Sequence, residues 1–348
     1  MKFMVVAAKT GGHVYPAQAL SNEIISNDHE VIFIGTGSNI EKIAFKDLNI
    51  KSYQLSIEGF RGKSIFKKIR VIFQIIVNIF KVLNILRIEK VDAMIGFGGF
   101  ITVPVGISCW ILKKPIFLHE QNSVLGSANK LLSNFSKINF LGMPIKNIKN
   151  SIVTGNPIRD SFIKFEENEM IIDDHKINIY ITGGSQGAEY INSSVPTALK
   201  NFSNINIKHQ SGSGRSSEVS DQYAKYNLQA EVRDFYDNPV EQILWSDFVI
   251  SRSGALSISE ITSLKRGVLM IPLSNSIDNH QLENAKLIFD QKMGLIHEQK
   301  GSLESLTAKI KTIVDDELYK DWKKNDSKIH INASKKILDN INHYLSRK

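Results

Sequence analysis

Short runs of apolar, β-branched residues alternate with stretches of helical periodicity along the chain. The first series of runs falls at residues 3–8, 31–35, 93–96, 116–119 and 138–141. Each is too short for a helix and too continuously apolar for a half-exposed strand, the pattern of a strand covered on both faces. A second series falls at residues 177–182, 207–210, 248–251, 268–272 and 294–297. Strands alternating with helices predict repeated βαβ units, hence an α/β chain with two doubly wound parallel sheets. Gly155-Asn156-Pro157 separates the two series, so the expected domains are 1–156 and 157–335, with 336–348 a C-terminal helix packing back on the first. At 348 residues the chain is long enough for each domain to bury its own core. Ligands of such sheets sit beyond the carboxyl ends of the strands, so a cleft between two facing domains is expected to hold the site. The acidic segment 166–174 reads as a surface loop.

Charge changes this picture in one place. The chain carries 43 Lys and Arg against 35 Asp and Glu, a formal net charge of +8. Most of the excess sits between residues 61 and 90, where Arg61, Lys63, Lys67, Lys68, Arg70, Lys81, Arg87 and Lys90 face a single acid, Glu89. Lys67, Arg70, Gln74, Asn78, Lys81, Asn84 and Arg87 recur every three or four positions, which predicts a polar stripe on an otherwise apolar helix. The uncharged run 71–80 is shorter than the roughly 20 residues needed to span a bilayer. Such a helix suits the plane of an anionic membrane surface, with Ile65, Phe66, Ile69, Ile72, Phe73, Ile76 and Phe80 in the acyl boundary and Lys67 and Arg70 on headgroups. The alternative is a core helix with a solvated basic face. Nucleic acid is not an expected partner, since no binding motif or stacking platform accompanies the charge. The lone Cys109 excludes an intrachain disulfide and suits a buried apolar role. Residues 1–8 lack the features of a signal peptide, so a cytoplasmic location is expected.

Three glycine-rich loops follow predicted strands: Thr10-Gly11-Gly12-His13, Gly96-Phe97-Gly98-Gly99-Phe100 and Gly183-Gly184-Ser185-Gln186-Gly187. Glycines there let backbone amides approach phosphate oxygens, which suits a diphosphate. The dinucleotide fingerprint fails at Gly35-Thr36-Gly37-Ser38-Asn39-Ile40, and the P-loop fails at Ile57, where a first glycine is needed. A dehydrogenase and an ATPase are therefore disfavoured. His13, at a strand end, is placed to take a proton from a hydroxyl, and His119-Glu120-Gln121-Asn122 ends another strand on the same side. Ser251 to Glu260 runs from strand to helix, where early amides and Glu260 suit phosphate and ribose hydroxyls. Asp278-Asn279-His280-Gln281 offers donors to sugar hydroxyls. No Asp-x-Asp and no zinc spacing occurs, so no metal site and no cofactor is expected beyond the substrate itself.

Thr10 to His13, His119 to Asn122, Gly155 to Arg159, Gly183 to Gly187, Arg252 to Leu256 with Glu260, and Gln281 resemble, in order and spacing, the MurG family of glycosyltransferases over nearly the whole chain. The resemblance implies a GT-B fold, with an acceptor and membrane-associating first domain and a second domain for the UDP-sugar donor. It implies inverting transfer of N-acetylglucosamine from UDP-N-acetylglucosamine to the C4 hydroxyl of the muramoyl sugar of undecaprenyl-linked lipid I, giving lipid II for peptidoglycan. It implies peripheral attachment at the cytoplasmic face of the cell membrane. Carried over by position, the donor meets Thr10, Gly11, Gly12, Asn122, Arg159, Ser185, Tyr236, Ala255, Leu256, Ser257, Ile258, Ser259, Glu260 and Gln281. Ser185 and Arg159 face the phosphates, Tyr236 the uracil through its backbone, Glu260 the ribose, and Asn122 and Gln281 the sugar. Gly12, His13, Gly98 and Gly99 meet the acceptor diphosphate, and His13 is the base, with Glu120 the next candidate. The chain departs from the family at Lys9, usually glycine, and at Tyr236, often aliphatic. Two rival readings are a related UDP-sugar transferase with another lipid acceptor and a non-catalytic membrane adaptor.

Overall fold

The first strand, β1 (Lys2–Val6), is apolar at every position after Lys2, so both of its faces need cover. Phe3 and Val5 enter one buried cluster and Met4 and Val6 another, as the two-residue period of a strand requires. The computed structural model describes residues 1–57, 65–165, 176–184, 186–274, 276, 279–325 and 328–347, with residues 65–68 by backbone alone. Among these, β1 is followed by α1 (Gly11–Ser26), β2 (Glu30–Gly35), α2 (Asn39–Ala44), β3 (Lys51–Gln54), α3 (Ile65–Ile88), β4 (Ala93–Gly96), α4 (Thr102–Ile111), β5 (Ile116–Glu120), α5 (Ser127–Leu132), β6 (Ile138–Leu141) and β7 (Ser151–Val153). The strands form a parallel sheet in the order β3-β2-β1-β4-β5-β6-β7. Val14, Leu20 and Ile24 of α1 join Phe3 and Val5 on one face. Val82, Ile85 and Leu86 of α3 join Val105 and Cys109 of α4 on the other. Burial pushes the Cys109 thiol up to about 12.

The second series of elements is β8 (Ile177–Thr182), α6 (Glu189–Ala198), β9 (Ile205–Gln210), α7 (Ser216–Ala224), β10 (Ala230–Arg233), α8 (Pro239–Trp245), β11 (Phe248–Ser251), α9 (Ala255–Ser263), β12 (Gly267–Met270), α10 (His280–Asp290), β13 (Gly294–Ile296), α11 (Leu303–Asp315) and α12 (Leu318–Trp322). Its sheet is also parallel, in the order β10-β9-β8-β11-β12-β13. The last helix, α13 (Ala333–Ser346), returns to the first unit, where Ile337, Leu338 and Ile341 enter the cluster of Phe3 and Leu20.

The two compact units are Met1–Asp160 with Ile329–Lys348, and Ser161–Lys328. The crossings at 160/161 and 328/329 lie a few residues from the expected 156/157 and 335/336. The return point is fixed locally: Asn156 N donates to His330 Nδ1 at 2.9 Å, and a side chain on Gly155 would collide with the Ile329 carbonyl. Strands β3, β7 and β10 were not expected from the sequence. Segment 166–174, read as a loop, lies outside the described residues. In each sheet the winding reverses once, between β1 and β4 and between β8 and β11. A doubly wound sheet opens a crevice for ligand at such a point, and the loops after these four strands are the glycine-rich and serine-rich motifs.

Candidate active site

In the first unit the chain leaves β1 through Lys9, which takes a left-handed φ of 68° that a glycine adopts without strain. Lys9 N donates to Glu41 Oε1 at 3.1 Å. The same buried carboxylate accepts from Thr36 N, Thr36 Oγ1, Gly37 N and Ser38 N, so Glu41 ties the loop after β2 to the loop after β1. Those hydrogen bonds outweigh the cost of burial and hold its carboxyl below the usual range. Ser38 with Glu41 three residues on is the spacing of a capping box, a signal present in the sequence.

Thr10 precedes α1 in extended conformation, and His13 lies in the first turn. Thr10 Oγ1 and His13 Nδ1 are 3.0 Å apart, which directs Nε2 the other way. Nε2 lies over Gly98, where a Cβ would sit 3.2 Å from it; Gly98 has φ 93° and Gly99 φ 78°. A side chain on Gly98 would therefore crowd the imidazole. The switch point thus brings His13, Gly98 and Gly99 together, with Gly12 exposed beside them. Arg159 stacks on the ring of Tyr15, 5.0 Å from its centroid, and Tyr15 in turn packs against Gly11.

His119 and Glu120 have a different setting. His119 is fully buried: Nε2 donates to Gly155 O at 3.1 Å and Nδ1 accepts from Gln121 Nε2 at 3.0 Å. Burial lowers its pKa to about 4, so the ring is neutral at neutral pH. Glu120 is buried as well, accepting from Asn122 N, Asn122 Nδ2, Gly126 N and Asn129 Nδ2 at 2.8–3.2 Å. It closes the turn between β5 and α5 and orients Asn122. Of the two candidate bases, His13 is the one with solvent access.

In the second unit the turn after β8 has Gly184 at φ 81° and Gly187 at φ 69°, closed by Gly187 N donating to Gly184 O at 3.0 Å. A side chain on Gly183 would collide with Ala188 N, and one on Gly187 with the Ser211 carbonyl. Ser185 lies outside the described residues. After β11, Gly254 precedes α9, whose first-turn residues are Ala255, Leu256 and Ser257. Ile258 and Ser259 turn to the core, and the Ser259 hydroxyl donates to Ala255 O at 2.7 Å. Glu260 follows in the second turn and is buried. Gln281 accepts from Leu273 N through Oε1 at 2.9 Å and from Ser253 Oγ through its carbonyl at 2.7 Å, joining the loops after β11 and β12. Asp278 lies outside the described residues. Tyr236 is a core residue: its hydroxyl donates to Glu231 O at 3.0 Å, its ring meets Tyr180 edge-on, and its N–H donates to Gln210 Oε1 at 3.2 Å.

The α3 helix departs from its expected polar stripe at Asn78. Asn78, placed in the polar stripe, is buried, with Nδ2 donating to Ser56 O and Gln74 O. Val71, Val82, Ile85 and Leu86 pack inward, while Ile69, Ile72, Phe73, Ile76, Val77 and Phe80 stand exposed beside Arg70, Lys81 and Arg87. The side chains of Ile65, Phe66 and Lys67 lie outside the described residues. Sequence reasoning did not single out the exposed apolar residues Trp110 and Ile111 at the end of α4, Leu131 in α5 and Phe135 just after it, with Trp110 and Phe135 in edge contact. By length and composition Ile69–Ile88 is sufficient to cross a membrane, but its inner face belongs to the core of the first unit.

Comparison with known proteins gives two family models, the glycosyltransferase family 28 N-terminal domain over residues 3–140 and the C-terminal domain over residues 178–341. A UDP-N-acetylglucosamine--N-acetylmuramyl-(pentapeptide) pyrophosphoryl-undecaprenol N-acetylglucosamine transferase of Vesicomyosocius okutanii is 33% identical over 339 residues, 97% of this chain and 96% of that protein. A transferase of the same description from Haemophilus influenzae is 30% identical over 99% of this chain and 98% of its own length. The crystal structure of Acinetobacter baumannii MurG matches with a TM-score of 0.81 at 29% identity, over 99% of this chain and 100% of that one. A UDP-GlcNAc 2-epimerase from Neisseria meningitidis matches at 0.68 with 16% identity over 98% of this chain and 99% of that one, a likeness of fold alone.

Proposed function

The chain belongs to glycosyltransferase family 28 and, within it, to the MurG transferases, and from that premise we propose the reaction and the roles of its residues. The enzyme is a GT-B glycosyltransferase that transfers N-acetylglucosamine from UDP-N-acetylglucosamine to the C4 hydroxyl of the muramoyl sugar of lipid I, forming lipid II. The second unit binds the donor. Its uracil meets the backbone at Tyr236, its ribose meets Glu260, and its diphosphate meets the turn at Gly183 to Gly187 and the start of α9, where glycines let the backbone approach and the helix end supplies positive field. The first unit binds the acceptor at Gly12, Gly98 and Gly99. In a single displacement the acceptor oxygen bonds to the anomeric carbon as the bond to the β-phosphate oxygen breaks, so configuration inverts and UDP leaves. His13 Nε2 takes the hydroxyl proton, with Nδ1–H donating to Thr10. Charge on the departing phosphate is met by loop amides, Ser185 and Arg159. No cofactor enters this scheme.

Attachment is peripheral, at the cytoplasmic face of the membrane. Support comes from the exposed apolar side of α3 with Arg70, Lys81 and Arg87, extended by Trp110, Ile111, Leu131 and Phe135.

The observation that carries the mechanism is the His13 ring, held at Nδ1 by Thr10 and lying over Gly98 at the β1/β4 switch point. Purified His13→Ala, given UDP-N-acetylglucosamine and a lipid I analogue, is expected to lose about 10²- to 10⁴-fold in kcat while binding UDP as wild type does. Full transfer rate in that variant overturns the base assignment. Calorimetry with UDP-N-acetylglucosamine, UDP-glucose and UDP-galactose tests the donor, and equal heats from all three overturn its selectivity.

A further inference from the structure

Inside the second unit, a side chain that no motif singled out holds two donor-binding segments together. Gln210 ends β9 with its carboxamide buried. Its Nε2 donates to Thr182 Oγ1 at 3.2 Å and to Gly184 O at 3.3 Å. Its Oε1 accepts from Tyr236 N at 3.2 Å and from the Tyr180 hydroxyl at 3.4 Å. A primary amide offers two donor and two acceptor positions, and all of them are used. Flipping the amide would set NH2 against the Tyr236 N–H and oxygen against the Gly184 carbonyl, so the surrounding groups fix its orientation. Thr182 Oγ1 also accepts from Gly184 N at 3.0 Å, so the hydroxyl and the carboxamide grip the same turn residue from both of its backbone groups.

We propose that Gln210 is a donor-positioning residue whose carboxamide sets the spacing between the Tyr236 backbone and the Gly184 turn, and so couples recognition of the uracil to recognition of the diphosphate. This inference rests on the donor assignment above. Removing the carboxamide leaves the Tyr236 N–H without its buried partner and the Gly184 carbonyl held by Gly187 N alone, so the spacing between the two segments is no longer fixed. A ligand that bridges the two segments loses the preset spacing, whereas a ligand that touches one segment loses little.

The test is calorimetric titration of UDP and of uridine against the full chain as wild type, Gln210→Glu and Gln210→Met, with melting curves to establish folding. Gln210→Glu keeps the acceptor for Tyr236 N but cannot donate to Gly184 O; Gln210→Met removes every polar contact without adding charge. UDP affinity is expected to fall at least tenfold in both variants, and uridine affinity no more than threefold in Gln210→Glu. KM for UDP-N-acetylglucosamine rises in step, while kcat at saturating donor stays within threefold and the acceptor KM is unchanged. UDP affinity within twofold of wild type in either folded variant overturns the inference and leaves the donor assignment standing. Equal losses for uridine and UDP in Gln210→Glu overturn the coupling, and a wild-type chain that binds no UDP overturns both.

Discussion

Replacing Phe73 and Phe80 together by serine isolates membrane attachment from folding, because both rings stand outside the core. They are 66% and 69% exposed on the outer side of α3. A phenylalanine side chain presents about 200 Å², so each ring offers roughly 130 Å² to a partner, worth about 3 kcal/mol on complete transfer at about 25 cal/mol/Å². A helix lying in the interface immerses about half of that area, which leaves about 3 kcal/mol for the pair. That corresponds to a partition coefficient about a hundredfold lower. The assay is co-sedimentation with vesicles of phosphatidylglycerol and phosphatidylcholine, at fixed salt. Melting temperature is expected to stay near wild type, since neither ring belongs to a buried cluster. Partitioning within threefold of wild type refutes the reasoning, and the apolar face of α3 then serves some other contact.

Glu89, buried beyond the end of α3, accepts from the Tyr53 hydroxyl at 2.6 Å and Lys51 Nζ at 3.0 Å, with Lys2 at 3.5 Å, and these partners hold its carboxyl at about 2. Its stabilisation is complete above the unfolded value near 4.5 and is lost as pH falls toward 2, so Glu89→Gln is expected to cost about 2 kcal/mol at pH 7 and much less at pH 3 by denaturant unfolding; an equal cost at both pH values defeats the assignment. Cys109, with its thiol pushed up to about 12 by burial, is expected to react with a disulfide reagent about 100-fold more slowly in the native protein than in urea, and prompt native labelling would contradict that burial. Gly187→Ala forces a methyl group toward the Ser211 carbonyl at φ 69°, so UDP affinity by calorimetry is expected to drop about tenfold and stability by about 1–3 kcal/mol, and an unchanged UDP isotherm speaks against a diphosphate at this turn.

The central strands were legible because burial on both faces writes a mostly apolar run, as in β1, β4, β6, β8 and β11. The sequences of β3, Lys51–Gln54, and β10, Ala230–Arg233, have no continuous apolar run because they lie at sheet edges, where one side has no neighbouring strand and little is covered. Edge strand β7 is three residues long, too short for its period to register. Helical periodicity marked α3, and Arg70, Lys81, Asn84 and Arg87 are exposed as expected, but one polar position was misplaced: Asn78 looked solvent-facing by type, yet its amide is spent on two carbonyls. Glu120, beside a histidine at a strand end, had the composition of a catalytic pair. Which of its neighbours donate to it depends on the fold of residues 122–129, which spacing does not reveal. Gln210 was invisible for the same reason, since its partners come from two separated segments of chain, 180–184 and Tyr236.

Because α13 completes the cluster of Phe3, Leu20 and Ile24, the unit that is translated first is the one that must wait. On the ribosome, residues 161–328 emerge with everything they need to fold, while the preceding 160 residues still lack one wall of their interior until the final helix clears the exit tunnel. Premature termination before Ala333 therefore strands the earlier-made half with an open apolar face, a species suited to chaperone capture and degradation even though residues 161–328 would be complete.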